Sequence, residues 1–142
     1  AWKFEIPVEP SIYSSQHQLL NVHYIQPRHG SDYLDQRELL IKNKSITEYA
    51  LDLGILVRYQ TFRNFSMFFQ ASVGPLISNR YTERMAEGFA FSDIIALGCS
   101  PKIGGLQIVV RTGFRHISNF NLQEPNSGYN ALLFEMGLTY NL

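Results

Sequence analysis

Hydrophobic and polar residues alternate with a period of two along most of this chain, which is the pattern of β-strands and not of helices. In the clearest run, every odd-numbered residue from Tyr49 to Tyr59 is apolar or aromatic, and the residues between them are mostly small or polar. Even-numbered residues follow the same pattern from Leu106 to Phe114, with Thr112 as the exception, and from Leu132 to Leu142. Because successive side chains of a strand point to opposite faces, each run has one apolar face and one more polar face.

Four further segments extend this pattern. Trp2–Val8 and Met67–Val73 alternate clearly, while Leu20–Ile25 and Phe89–Cys99 alternate less regularly. The sequence therefore predicts an all-β fold, a small antiparallel up-and-down transmembrane β-barrel that forms a single domain over residues 1–142. Eight strands are expected, of which about seven are clear, since bacterial barrels of one chain have even strand numbers. Either Glu38–Ile41 supplies the eighth strand or the chain begins after a missing first strand.

The alternation does not by itself say which face is outside. A soluble lipid-binding β-barrel turns its apolar face inward, and an outer-membrane barrel turns it to lipid. The more polar faces carry isolated charges among glycine and alanine, unlike a solvated surface rich in Lys and Glu. The run from Tyr49 to Tyr59 rises roughly 24 Å at about 3.3 Å per residue and a tilt of about 45°, close to the apolar band of a membrane barrel. We therefore expect the apolar face to be outside, and the soluble barrel is the alternative.

Composition narrows the possible functions. The 142 residues carry 12 Lys+Arg and 12 Asp+Glu, so the formal net charge is +0, and no basic surface for nucleic acid is expected. A single cysteine, Cys99, excludes an internal disulfide and a cysteine-based zinc site. His17, His23 and His29 are evenly spaced, without converging carboxylates. No metal and no cofactor are therefore expected.

The segment that bears most on chemistry runs from Arg111 to Asn130. His116 and Ser118 lie two residues apart at the end of a predicted strand, so they share a face with Cα atoms roughly 6.5 Å apart, near enough for a hydrogen bond between the side chains. Both continue the even, apolar series, and so does Asn130 in the next strand. A symmetric loop would pair Ser118 with Asn130, whereas a shift of two residues would pair His116 with Asn130. The three residues are expected to lie together at the rim of the lipid-facing surface. The alternative interpretation is that they are ordinary polar residues at the ends of strands.

This segment resembles the active-site region of a known family. It reads HISNFNLQEPNSGYN, which is similar to the pattern of the PagL-type lipid A deacylases, outer-membrane β-barrel esterases. The matching positions are His116, Ser118, Asn119, Pro125, Asn126, Gly128 and Asn130. The best-known members have glutamate at the position of Asn130. The resemblance covers roughly the last 80 residues and does not extend convincingly to the first 45.

The resemblance implies an esterase that removes an acyl chain from lipid A, at the 3-position, in the bacterial outer membrane. It implies Ser118 as nucleophile, His116 as general base, Asn130 as the partner of the histidine and Asn119 as an oxyanion donor, with no metal. Lipid A or lipopolysaccharide would be the substrate, among the lipids of the outer membrane. A protein of this kind could form a homodimer or belong to a larger outer-membrane assembly. The alternative is an inactive barrel that serves as a structural or accessory subunit of such an assembly.

Overall fold

The computed structural model describes residues 1–27 and 30–140, and these form one antiparallel β-sheet with a short helix in a connecting loop. The strands are β1 (Trp2–Glu5), β2 (Val8–His17), β3 (Lys44–Phe62), β4 (Phe65–Ser78), β5 (Gly88–Ile103), β6 (Leu106–Ser118) and β7 (Tyr129–Tyr140). The helix α1 spans Tyr33–Leu40, and one turn of 3-10 helix spans Val22–Tyr24. The structure confirms the expected antiparallel β fold.

The strands follow one another in chain order across the sheet. β1 and β2 pair one after the other with the same edge of β3, and β3 to β7 continue as neighbours. Within the described residues, the two outer edges, β1/β2 and β7, do not pair through the backbone. No helix in this part of the chain is long and apolar enough to cross a membrane.

Two predicted strands are wrong. Leu20–Ile25 is not a strand: Val22–Tyr24 forms the 3-10 turn, and the side-chain oxygen of Asn21 accepts a hydrogen bond of 3.1 Å from the backbone N–H of His23. Glu38–Ile41 is not a strand either, because residues 38–40 form the last turn of α1 and Ile41 caps it. One apolar residue of each segment, Ile25 and Leu40, packs into a small separate cluster instead of the sheet. Its members are Leu19, Ile25, Tyr33 and Leu40.

The apolar face of the sheet is the outer one, as expected. Tyr49, Leu51, Leu53 and Ile55 are between 50% and 62% exposed, and the residues that alternate with them in β3 are buried. A soluble lipid-binding barrel requires the opposite arrangement, so the structure does not support that alternative.

The inner face is polar and holds paired charges. Arg111 of β6 donates to Glu9 of β2 at 3.0 Å, to Gln70 of β4 at 2.8 Å, and to Glu135 of β7. One guanidinium therefore links the two outer edges of the sheet across its interior.

A second ion pair lies nearer the loop end. Buried Arg115 donates to Glu48 at 2.6 Å and to Ser92 at 2.9 Å, and its guanidinium stacks 3.7 Å from the centre of the Tyr13 ring. Such pairing satisfies charges that would otherwise be costly to bury.

Candidate active site

The register between β6 and β7 brings together two of the predicted site residues. His116 and Asn130 are direct partners in the ladder, which selects the pairing with the two-residue shift over the symmetric loop. The ring Nδ1 of His116 and the side-chain oxygen of Asn130 lie 2.7 Å apart. Since an amide oxygen only accepts, Nδ1 carries the proton and donates it, and Nε2 keeps a free lone pair. The pair thus holds the imidazole in the tautomer that a general base at Nε2 requires.

Ser118 lies on the same face of β6, two residues beyond His116. The backbone of Gly128 passes beside both residues: a Cβ atom placed on Gly128 would lie 3.3 Å from Cε1 of His116 and 3.5 Å from Cβ of Ser118. Both side chains therefore flank the same glycine, and the described residues show no hydrogen bond between them. His116 and Ser118 are partly exposed, so both are accessible from outside the sheet.

The surface around these residues is apolar. Phe91 of β5 is the ladder partner of Ser118, and its ring meets that of Phe120 edge-on at 5.0 Å. Phe114 and Leu132 lie on the same outward face and are 47% and 86% exposed. Side chains of this kind are suited to contact acyl chains, because burying apolar surface is favourable for both partners.

The loop after β6 is held by its own asparagines. Asn119 is fully buried; its backbone N–H donates to the side-chain oxygen of Asn126 at 2.8 Å, and its side-chain amide donates to the carbonyl of Gln123 at 2.8 Å. The side-chain N–H of Asn126 in turn donates to the side-chain oxygen of Asn121 at 2.8 Å. Phe120 and Asn121 have positive φ angles of 51° and 59°, so the chain turns sharply just past Ser118.

A second loop, between β4 and β5, holds the far end of this segment. The carbonyl of Arg84 accepts from the backbone N–H groups of Ser127 at 2.8 Å and Gly128 at 3.2 Å, and its side chain donates to the carbonyl of Gly128 at 2.8 Å. The backbone N–H of Ala86 donates to the carbonyl of Pro125 at 3.0 Å. These bonds fix the loop segment before β7, which passes beside His116 and Ser118.

A cleft of about 270 Å³ opens beside Asn130. It is lined from both outer edges of the sheet and from the β4–β5 loop, by polar residues that include Gln16, His17, Thr82 and Arg84. The surface of the cleft is nonetheless more apolar than polar, and polar side chains that converge on an apolar cleft suit an amphipathic ligand.

One residue beside His116 was missed in the sequence. Asp93 of β5 is the direct ladder partner of His116 and lies on the same outward face. The run from Phe89 to Cys99 contains adjacent Ile94 and Ile95, which leave its faces ambiguous. Aligning this run with the outward residues of the neighbouring predicted strands would have shown that Asp93 also points outward.

Metal-ligating side chains do not converge in the part of the chain that is described: it contains no group of three His, Cys, Asp or Glu residues able to hold a metal. His29 lies outside the described residues. His17 bonds to Glu83 at 2.7 Å, and His23 is exposed.

The fold and the site define an antiparallel β protein with an apolar exterior that carries a candidate serine hydrolase set. The chain belongs to the PagL family: the family model described as lipid A 3-O-deacylase (PagL) matches residues 14–139. This match confirms the resemblance and extends it towards the N-terminus, since it begins within β2. No curated protein and no solved structure matches the chain. The family consists of outer-membrane ester hydrolases that act on lipid A.

Proposed function

We propose that this protein hydrolyses the ester-linked acyl chain at the 3-position of lipid A in the bacterial outer membrane. The observation that carries the proposal is the 2.7 Å hydrogen bond between His116 and Asn130, with Ser118 two residues beyond His116 on the same outward, apolar face and beside the same Gly128. Family membership supplies the reaction and the substrate. The accessory-subunit function and self-association remain alternative predictions.

We further propose that the sheet closes into a transmembrane barrel. The exposed apolar side chains of its outer face and the polar interior both support this arrangement. Arg111 already links the two outer edges through Glu9 and Glu135, so the charges of these edge strands are paired before closure.

Acylation begins when the hydroxyl oxygen of Ser118 attacks the carbonyl carbon of the ester. Nε2 of His116 takes the hydroxyl proton as the Oγ–C bond forms, and the ester oxygen becomes an oxyanion. The tetrahedral intermediate collapses by breaking the bond to the sugar oxygen, which receives the proton from Nε2. The sugar leaves with a free hydroxyl, and the acyl chain stays on Ser118.

Deacylation repeats these steps with water as the nucleophile. Nε2 of His116 takes a proton from water as its oxygen attacks the acyl carbon, and it then protonates Oγ of Ser118 as that bond breaks. A fatty acid is released and the enzyme returns to its starting state. In both halves, the bond from Nδ1 to Asn130 keeps the ring in the required tautomer.

The oxyanion would form next to the sharp turn after Ser118. Because Asn119 is fully buried and bonds to Gln123 and Asn126, we propose that it stabilises the oxyanion by holding this turn in place. The turn at Phe120 and Asn121 would direct backbone N–H groups towards the oxyanion, which is an effective way to stabilise developing negative charge.

The outward position of the site fits an amphipathic substrate. An acyl chain could lie against the apolar surface around Phe114 and Leu132 while the ester meets Ser118. The sugar would lie in the cleft beside Asn130, near the polar side chains of Arg84 and Gln16.

Incubation of the purified protein with lipid A tests this function, with the acyl chains of the products read by mass spectrometry. We expect loss of one 3-hydroxyacyl chain and release of the free fatty acid. Ser118→Ala and His116→Ala should each reduce turnover at least about 1,000-fold, as loss of a nucleophile or base does in serine hydrolases.

Two matched controls accompany these variants. Ser14→Ala removes an exposed outward serine from β2, and His23→Ala removes an exposed loop histidine; both should turn over at the wild-type rate. A folded wild-type protein that leaves lipid A intact would contradict the proposed function and favour the accessory role. Release of a different acyl chain would contradict only the proposed 3-position, and the proposed esterase activity would stand.

A further inference from the structure

The outward faces of β3 to β7 carry a single Asp, Glu, Lys or Arg within the described residues, and that residue is Asp93. It alternates with Ser92 and Ile94, which are 0% and 1% exposed, so its side chain points outward. On the same face of β5 its neighbours are Phe91 and Ile95. A carboxylate on an apolar, lipid-facing surface is costly, which makes its position informative.

That carboxylate lies directly beside the candidate base. Asp93 and His116 are partners in the β5–β6 ladder, and direct cross-strand partners have Cβ atoms about 4.5–5.5 Å apart. Asn130 flanks His116 from the opposite strand, β7. Asp93 forms no hydrogen bond or ion pair with the rest of the described chain, so its charge is not used elsewhere.

The proposed reaction creates a positive charge on the ring of His116 twice, once during acylation and once during deacylation. When Nε2 of His116 takes a proton, the ring becomes an imidazolium, and the amide of Asn130 orients it without supplying a negative charge. We propose that Asp93 is the positioning residue that supplies this charge from β5, so that orientation and charge compensation come from two different residues. This inference rests on the proposed function, because it concerns the same base.

The expected effect follows from the distance. Two unit charges about 6 Å apart near a protein surface, at an effective dielectric constant of about 20, attract strongly enough to change a rate by about 10- to 100-fold. Because Asp93 acts on the charged ring and not on the bound lipid, its removal should lower kcat and leave KM within about threefold.

The test compares the kinetics of lipid A deacylation for Asp93→Asn, Asp93→Glu and the wild type. We expect kcat to fall about 10- to 100-fold in Asp93→Asn and to recover to within about fivefold in Asp93→Glu. Glu87→Gln is the matched control, since it removes an exposed carboxylate from the loop before β5 and should change neither constant. If Asp93→Asn does not fold, Asp93→Ser takes its place.

A double-mutant cycle separates charge from structure. Asn130→Glu places a carboxylate on the other side of the ring, so the loss caused by Asp93→Asn should shrink to less than about threefold in that background. An equal loss in both backgrounds would assign Asp93 a structural role and overturn the inference. A wild-type kcat in Asp93→Asn would also overturn it.

Labelling by a fluorophosphonate probe gives a readout that does not depend on lipid A. Oγ of Ser118 forms a bond to phosphorus, fluoride leaves, and His116 takes the hydroxyl proton. Slower labelling of Asp93→Asn, by about 10-fold or more, supports the inference even if lipid A proves not to be the substrate, in which case only the proposed function fails. Equal labelling rates, or no labelling of Ser118 in the wild type, would overturn the inference.

Discussion

Gly128 offers a sharp test of the site geometry, because its backbone passes beside both the candidate base and the candidate nucleophile. Its φ angle is +60°, a conformation that residues with a side chain rarely adopt. A Cβ atom at this position would also lie 2.7 Å from the carbonyl oxygen of Ile117, closer than real Cβ atoms come. Gly128→Ala therefore introduces two separate penalties, one from the backbone conformation and one from the contact.

Gly104 separates the two penalties. It lies in the turn between β5 and β6 with a φ angle of +62°, and a Cβ atom there would meet nothing within 4 Å. Gly104→Ala should therefore lower the free energy of unfolding by about 1–2 kcal/mol, the cost of the left-handed conformation. Gly128→Ala should lose about 1–3 kcal/mol more, the usual cost of overpacking.

Activity should distinguish the two variants more strongly. Ile117 lies between His116 and Ser118 in the chain, so a shift of its carbonyl moves both side chains. Because misplacement by about 1 Å can cost about 100-fold in rate, we expect kcat to fall about 10- to 100-fold in Gly128→Ala and to stay unchanged in Gly104→Ala. Denaturant unfolding in detergent and lipid A turnover provide the two measurements. If both variants have the same kcat, the contact at Gly128 does not position the site and this reasoning fails.

Two further predictions concern the loop and the interior. Asn126→Ala removes the acceptor for the backbone N–H of buried Asn119, so it should lower the free energy of unfolding by about 1–3 kcal/mol and also lower turnover. Asn126→Asp keeps an acceptor and should recover most of the stability. Equal losses of stability in the two variants would rule out this hydrogen bond as the cause. Arg115→Met leaves Glu48 buried without its partner and should cost about 3–5 kcal/mol by denaturant unfolding. The double variant Arg115→Met/Glu48→Gln should be more stable than Arg115→Met, and a further loss would contradict the ion-pair explanation.

The sequence predicted the parts of the fold in which long strands alternate cleanly. The run from Tyr49 to Tyr59 lies in β3 with its apolar side chains outward, and the same parity places His116 and Ser118 on the outer face of β6. The same argument placed Asn130 on the outer face of β7. Only the observed register between β6 and β7 showed that its partner is His116 and not Ser118.

Short or mixed segments could not be assigned in this way. Leu20–Ile25 alternates over only three apolar residues, and its last residue, Ile25, packs with the preceding Leu19 against α1, so contacts outside the sheet overrode the local pattern. β2 was missed because Pro10 and a run of polar residues after Ile12 obscure its alternation, and its pairing with β3 joins residues that lie 27 to 45 positions apart in the chain, from His17 with Lys44 to Val8 with Leu53. The final segment, predicted through Leu142, is described through Tyr140.

The contacts of Arg111 have a consequence for how the protein assembles. Its partner Glu9 lies 102 residues earlier in the chain, and its partner Glu135 lies 24 residues later. Contacts between such distant segments form only after a large loss of chain entropy, and these need β7 as well as β2 to be present. A nascent chain that has not yet released β7 therefore cannot complete this cluster, so the interior ion pairs should form only once β2 and β7 are both available to converge on β6.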